Sequence, residues 1–274
     1  ISIVMPVFND VRMTLNSVDS ILAAAGDHDV EIVVIDNGSR ADISLALAMA
    51  LETVPGVRLE RLPRNFNFAI GSNVGAIRST GELIVFLNND TLVRAGWLDG
   101  LLSRIADPEV IGVQPLLLYP DDIIQSAGTI FAGSFEIPTA FLNGFPKDDG
   151  HPVAGYRFSA VTAAALMMRA TDVIALRGFD TFFVNGMEDV DLCLRAGEGN
   201  NRYFAVEPSA VVTHLESRTP GRNARIPENR RLFVQRWRGR LPHDETLYRE
   251  HGFEIVHFGV DQYIDMAPRL ILNR

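Results

Sequence analysis

Apolar runs recur through the first half of the chain, at Ile1 to Val7, Val30 to Ile35, Val57 to Leu62, Leu83 to Leu87 and Val110 to Val113, each short and closed by polar residues. Runs of this length and content predict β-strands. The stretches between them, Val11 to Ala25, Ile43 to Thr53, Ala69 to Ser79 and Gly96 to Ala106, space their apolar residues helically and are long enough to cross over a sheet. Such alternation predicts an α/β fold with a mostly parallel sheet and helices on both faces. Ligands of these sheets sit beyond the carboxyl ends of the strands, where Phe8-Asn9-Asp10, Asp36-Asn37-Gly38-Ser39 and Asn88-Asn89-Asp90 fall.

From Tyr119 to Gly155 the pattern gives way to Gly, Pro and Asp with scattered aromatics, an irregular excursion suited to a substrate loop. Regular patterning resumes with a strand over Ser159 to Met168, a helix over Thr171 to Leu176, an acidic helix from Glu188 and a late strand over Ala210 to Thr213. Residues 1–240 read as one domain, and 241–274 as a C-terminal extension that docks on the core or leads to a further domain.

Composition narrows the function. With 274 residues, 47% of them hydrophobic, the chain has enough apolar content for one large core. A net charge of -9 argues against a nucleic-acid partner, although a local basic patch can still meet an anion. One cysteine, Cys193, excludes an internal disulfide, and no neighbouring base marks it as a nucleophile. The longest apolar runs, such as Ala160 to Met168, fall well short of the roughly 20 residues that cross a bilayer. The chain opens inside a strand at Ile1, with neither initiator methionine nor signal peptide in view, which reads as an excised part of a longer cytoplasmic protein.

Each polar cluster has two readings. Asp36-Asn37-Gly38-Ser39 can grip a nucleotide or cap a helix, and its glycine spacing matches neither G-x-G-x-x-G nor a P-loop. Asn88-Asn89-Asp90 stands where a buried strand meets solvent, a place for a hard cation such as Mg²⁺ or Mn²⁺ or for a simple turn. Glu188, Asp189 and Asp191 favour a helix N-terminus through the dipole, and Asp191 pairs with Arg195 at i,i+4. Those roles account for Asp191 and leave Asp189 available to deprotonate an attacking hydroxyl. His214 closes a strand and is either a surface residue or an imidazole ligand. The arginines at 225, 230, 231, 236, 238 and 240, interleaved with Phe233 and Trp237, form a solvated helix face or a binding surface for pyrophosphate or anionic lipid.

Taken in order, these segments resemble the family 2 glycosyltransferases, inverting enzymes of the Rossmann-like GT-A fold, and in particular their rhamnosyltransferase-like branch. The resemblance spans roughly Ile1 to Leu215. It rests on Ser2 to Asn9, Val33 to Ser39, Asn65 to Gly75 with Asn73-Val74-Gly75, the Asn-Asn-Asp trio, and Gly178-Phe179-Asp180 followed by Glu188 to Arg195. It implies that Pro6, Phe8, Asp36, Asn65, Asn73, Asn88 and Asn89 bind the nucleotide. It further implies that Asp90, with His214, holds a divalent cation, Mn²⁺ or Mg²⁺, and that Asp189 of the Glu188-Asp189 pair is the catalytic base. The implied donor is a UDP or dTDP sugar. The implied acceptor is a glycan or glycolipid, with the enzyme at the inner face of a membrane. Two departures stand out: Asn67 replaces a usual glycine, and Asn88 replaces the first acid of the D-x-D element. They keep open a non-catalytic nucleotide- or carbohydrate-binding module. A nucleotidyltransferase would need a glycine-rich phosphate loop near the first strand, and Phe8 to Val11 offers none.

Overall fold

A computed structural model of the chain describes residues 1–131, 137–216, 225–258 and 264–268, with side chains through Phe253. The first elements are β1 (Ser2–Val7), α1 (Val11–Ala23), β2 (Glu31–Asp36), α2 (Ala41–Leu51), β3 (Val57–Arg61), α3 (Asn67–Arg78) and β4 (Leu83–Leu87). Then come β5 (Thr91–Val93), α4 (Trp97–Ile105), β6 (Val110–Leu118), β7 (Ile124–Ser126), β8 (Thr129–Ile130), β9 (Thr139–Ala140) and a 3₁₀ helix over Lys147–Gly155. The remainder is β10 (Ala165–Arg169), α5 (Ala170–Ala175), α6 (Glu188–Gly197), β11 (Tyr203–His214), α7 (Ile226–Trp237), α8 (Glu245–Glu250), β12 (Phe253–Phe258) and β13 (Ile264–Pro268).

The main sheet runs β3-β2-β1-β4-β10-β6-β11-β5. Strands β1 to β4 pair in parallel, as the alternating pattern requires, and so do β6 and β11. β10 enters antiparallel between β4 and β6, and β5 pairs antiparallel with β11, so the sheet is mixed. Side chains alternate between two cores. Ile3, Met5, Val85, Leu87 and Met167 face α1, α2 and α4, whereas Val4, Ile84, Phe86, Leu166 and Met168 face the layer that holds α3, α6 and α7. Continuous rather than alternating hydrophobicity in these strands is the mark of burial on both faces.

The excursion at 119–155 is itself part of the core. Ile124, Ile130, Phe141, Leu142 and Val153 are fully buried against Leu116, Leu118 and Phe158. Helix α8 packs on the same layer, since its Leu247 and Tyr248 are buried and the Tyr248 ring lies 4.8 Å from that of Phe141. Asp244 accepts from the Phe131 amide at 3.0 Å, and burial pushes its carboxyl up to about 6.

Candidate active site

At the carboxyl end of β1, Asp10 caps α1 by accepting from Met13 N at 2.9 Å, so this acid serves the helix. Asn9 joins the neighbouring strand end: its amide donates to Ser39 Oγ and its Oδ1 accepts from Arg40 N, both at 2.8 Å. Pro6 lies under α3 beside Gly71, and Phe8 is half-buried at the strand end.

Asp36 is fully buried at the end of β2. Its Oδ1 accepts from Ser39 N at 2.8 Å, while Oδ2 has no hydrogen-bond partner among the described residues and stands 3.8 Å from Arg61 Nε. A buried acceptor in that state requires a donor. Asn37 clamps the next loop, with Oδ1 accepting from Phe66 N at 3.0 Å and Nδ2 donating to the Asn67 carbonyl at 2.7 Å. Gly38 makes this approach feasible. Its φ is +76°, and a Cβ there would lie 2.1 Å from the Arg64 carbonyl carbon. Gly38→Ala is therefore expected to lower stability by about 2 kcal/mol and to displace the 64–67 loop. Thermal melting checks this, and an unchanged midpoint would refute the close approach.

Asn67 carries a φ of +77°, the left-handed conformation that glycine adopts freely and asparagine tolerates best among other residues. The departure from glycine thus preserves the turn. Asn65 closes it by accepting from Asn67 N at 2.9 Å. Asn73 is equally committed: Nδ2 donates to the Phe179 carbonyl at 2.9 Å and Oδ1 accepts from its amide at 2.8 Å. Both side chains brace backbone within the chain.

The trio after β4 splits. Asn89 turns toward α1, donating to Thr14 Oγ1 at 3.1 Å. Asn88 and buried Asp90 instead face buried His214: His214 Nε2 lies 3.1 Å from Asp90 Oδ1 and 3.3 Å from Asn88 Nδ2. His214 Nδ1 is held 2.6 Å from Oε1 of Gln125, a β7 residue that the sequence pattern did not single out. The only cue there was a polar residue amid Ile123, Ile124 and Ala127. A cation fits these donors. Adjacent ligands of an octahedral ion with bonds of about 2.1 Å lie about 3 Å apart, close to the 3.1 Å between Asp90 and His214. Among the described residues no three of His, Cys, Asp and Glu converge on one point, so the remaining positions would fall to substrate and water.

Across the crevice, three successive residues with positive φ, Asn185, Gly186 and Met187, lead into α6. Glu188 is buried and accepts from the Gly186 amide, latching this strained turn. Asp189 is half-buried; Oδ2 accepts from Ala163 N at 3.1 Å and Oδ1 from Val190 N at 2.9 Å. Asn88 N in turn donates to the Ala164 carbonyl at 2.9 Å. Ala163-Ala164 therefore links Asp189 to the start of the Asn-Asn-Asp trio.

Behind the crevice, fully buried Asp191 accepts from Arg195 Nε at 2.8 Å, Arg236 Nη1 at 2.7 Å and Trp237 Nε1 at 3.0 Å. Arg236 also pairs with Asp180 at 2.7 Å. Burial alone would raise the Asp180 carboxyl, but the Phe182 amide and Arg236 outweigh it and hold the group below the usual carboxylate range. The arginine-rich segment spans helix α7 and its two ends, with Arg236 turned inward while residues 225, 231, 238 and 240 are exposed. Cys193 is buried, and desolvation pushes its thiol far up, as befits an inert core residue.

The sequence profile of glycosyl transferase family 2 matches residues 2–162, more than half of the chain. The chain belongs to that family. A relative, the O-antigen biosynthesis protein RfbC of Myxococcus xanthus, is 31% identical over 224 residues, which cover 78% of this family 2 chain and 17% of the relative. The chain thus corresponds to a minor part of that longer protein. Among solved structures, a mannosyltransferase of Pyrobaculum calidifontis in complex with GDP-Man and Mn²⁺ superposes with a TM-score of 0.63 at 17% identity, covering 88% of this chain and 65% of the other. GalNAc-T7 with UDP, GalNAc and Mn²⁺ gives a TM-score of 0.67 at 17% identity, covering 86% and 48%. These likenesses establish the GT-A glycosyltransferase fold of the family 2 chain. No helix among the described residues is long and apolar enough to cross a membrane.

Proposed function

We propose that this glycosyltransferase moves a sugar from a nucleoside diphosphate donor to a hydroxyl of a glycan or glycolipid, with inversion, and that Asp189 is the general base. The observation that supports the reading is the link through Ala163-Ala164: Ala163 N donates to Asp189, and the Ala164 carbonyl accepts from the amide of Asn88, whose side chain meets His214 beside Asp90. Asp36, with its unpartnered buried oxygen, suits a ring N–H of the nucleotide base, as found in uracil, thymine and guanine. Asp90 and His214 would hold a divalent cation, which when bound stabilises negative charge on the departing diphosphate. Asp189 takes the proton of the acceptor hydroxyl as its oxygen attacks the anomeric carbon, and one displacement inverts that centre. The name of the Myxococcus relative favours a bacterial surface polysaccharide as acceptor.

Titration calorimetry with UDP, dTDP and GDP, each with Mn²⁺ and then with EDTA, tests the donor site. One diphosphate is expected to bind in a metal-dependent manner, and absence of binding by all three would refute the reading. Asp90→Ala is expected to bring the affinity in Mn²⁺ down to the value in EDTA, a loss of at least about tenfold. An affinity still raised by Mn²⁺ in that variant would remove Asp90 from the metal site.

A further inference from the structure

The two ring nitrogens of His214 meet different neighbours, and the chemistry of those neighbours decides where the ring hydrogen sits. An amide oxygen only accepts. A ring held 2.6 Å from Gln125 Oε1 therefore carries a hydrogen on Nδ1; the neutral ring then aims its Nε2 lone pair at Asn88 Nδ2 and Asp90 Oδ1, whereas an imidazolium would donate from Nε2 to Asp90. Asn88 can donate to that lone pair. The Asp90 carboxylate cannot, so two acceptors stand 3.1 Å apart, an arrangement that is favourable with a cation bound to both. Turning the Gln125 amide over reverses the logic: Nε2 of Gln125 donates to Nδ1, the ring hydrogen moves to Nε2, and His214 donates to Asp90 instead. In the first orientation, the one found here, Gln125 Nε2 is buried with no hydrogen-bond partner among the described residues, and Oε1 faces the imidazole. The backbone keeps Gln125 in reach, since β7 pairs with β6 and Asn143 Nδ2 donates to the Gln125 carbonyl at 2.8 Å.

We propose that Gln125 is a positioning residue for the divalent cation: by accepting from His214 Nδ1–H it fixes the tautomer in which Nε2 is a ligand. The inference rests on the reading of Asp90 and His214 as the metal-binding pair. The test measures Mn²⁺ affinity directly, by the electron paramagnetic resonance of free Mn²⁺, in the presence of whichever nucleoside diphosphate the unmodified protein binds. Gln125→Met, which neither accepts nor donates strongly, is expected to weaken Mn²⁺ binding by about 10–100-fold. Gln125→Glu, which keeps an oxygen able to accept from Nδ1–H, is expected to bind Mn²⁺ more tightly than Gln125→Met. Nucleotide affinity in EDTA should be the same in all three proteins, which a merely structural role of Gln125 would not predict. Undiminished Mn²⁺ affinity in Gln125→Met, or equal losses in both variants, would overturn the proposal. A lack of Mn²⁺ binding by the unmodified protein would instead overturn the metal site itself, and Gln125 with it.

Discussion

Replacing Asp189 by asparagine is expected to lower turnover by about 10²–10⁴-fold while leaving nucleoside diphosphate affinity within about twofold of the unmodified enzyme. Asparagine keeps the size of the side chain and an oxygen that can still accept from Ala163 N, so the turn into α6 and the crevice wall should stand. What it loses is a lone pair basic enough to take a proton from the acceptor hydroxyl. The measurement is steady-state transfer beside calorimetry of the nucleotide. Turnover within tenfold of normal would show that the proton goes elsewhere. Loss of nucleotide affinity in parallel would mean that the substitution damaged the site rather than the chemistry.

Two residues further along the same helix, the opposite outcome is expected. Asp191→Ala leaves the guanidinium groups of Arg195 and Arg236 and the indole of Trp237 without the fully buried carboxylate that gathers them. Removing one partner of a buried ion pair costs about 3–5 kcal/mol. Arg195 and Arg236 retain some solvent contact, with 23% and 28% of their side-chain surface exposed, so a cost near about 3 kcal/mol is expected. In a chain of this size that corresponds to a fall of roughly 6–12 °C in melting temperature. A shift under about 2 °C would show that the network adds little beyond the packing of α7 on α6. Residues i and i+2 project from different faces of a helix, so α6 presents Asp189 to the crevice and Asp191 to the core.

That difference marks the boundary of what was legible in the sequence. Short continuous apolar runs and helical spacing were enough for β1 to β4 and the helices between them, because strands buried on both faces carry apolar residues at every position. The antiparallel entry of β10, the short strand β5 and the full length of β11 depend on pairings between residues far apart in the chain, and no window of sequence carries them. At the site, residue types at strand ends pointed to the carboxyl ends of the parallel strands, where Asp36 ends β2 and where Asn88 and Asp90 meet His214. Side-chain direction was the missing quantity. An asparagine that braces a turn, such as Asn65 or Asn73, is spelled the same as one that meets a ligand, and Gln125 lay in a stretch whose buried character appears only once Phe141, Phe158 and Tyr248 surround it.

The position of β10 governs how the protein can be assembled. The stretch that matches the family profile ends at residue 162, three residues before the strand that joins β4 to β6. Until residues 165–169 have left the ribosome, the emerging chain holds β3-β2-β1-β4 with no hydrogen-bonded neighbour to connect it to β6. Closing the sheet then awaits a contact spanning some eighty residues of chain, a long-range step of the kind that slows folding. The same strand follows directly from Ala163-Ala164, so one short stretch, residues 163–169, both joins the two halves of the sheet and braces the Asp189 carboxylate.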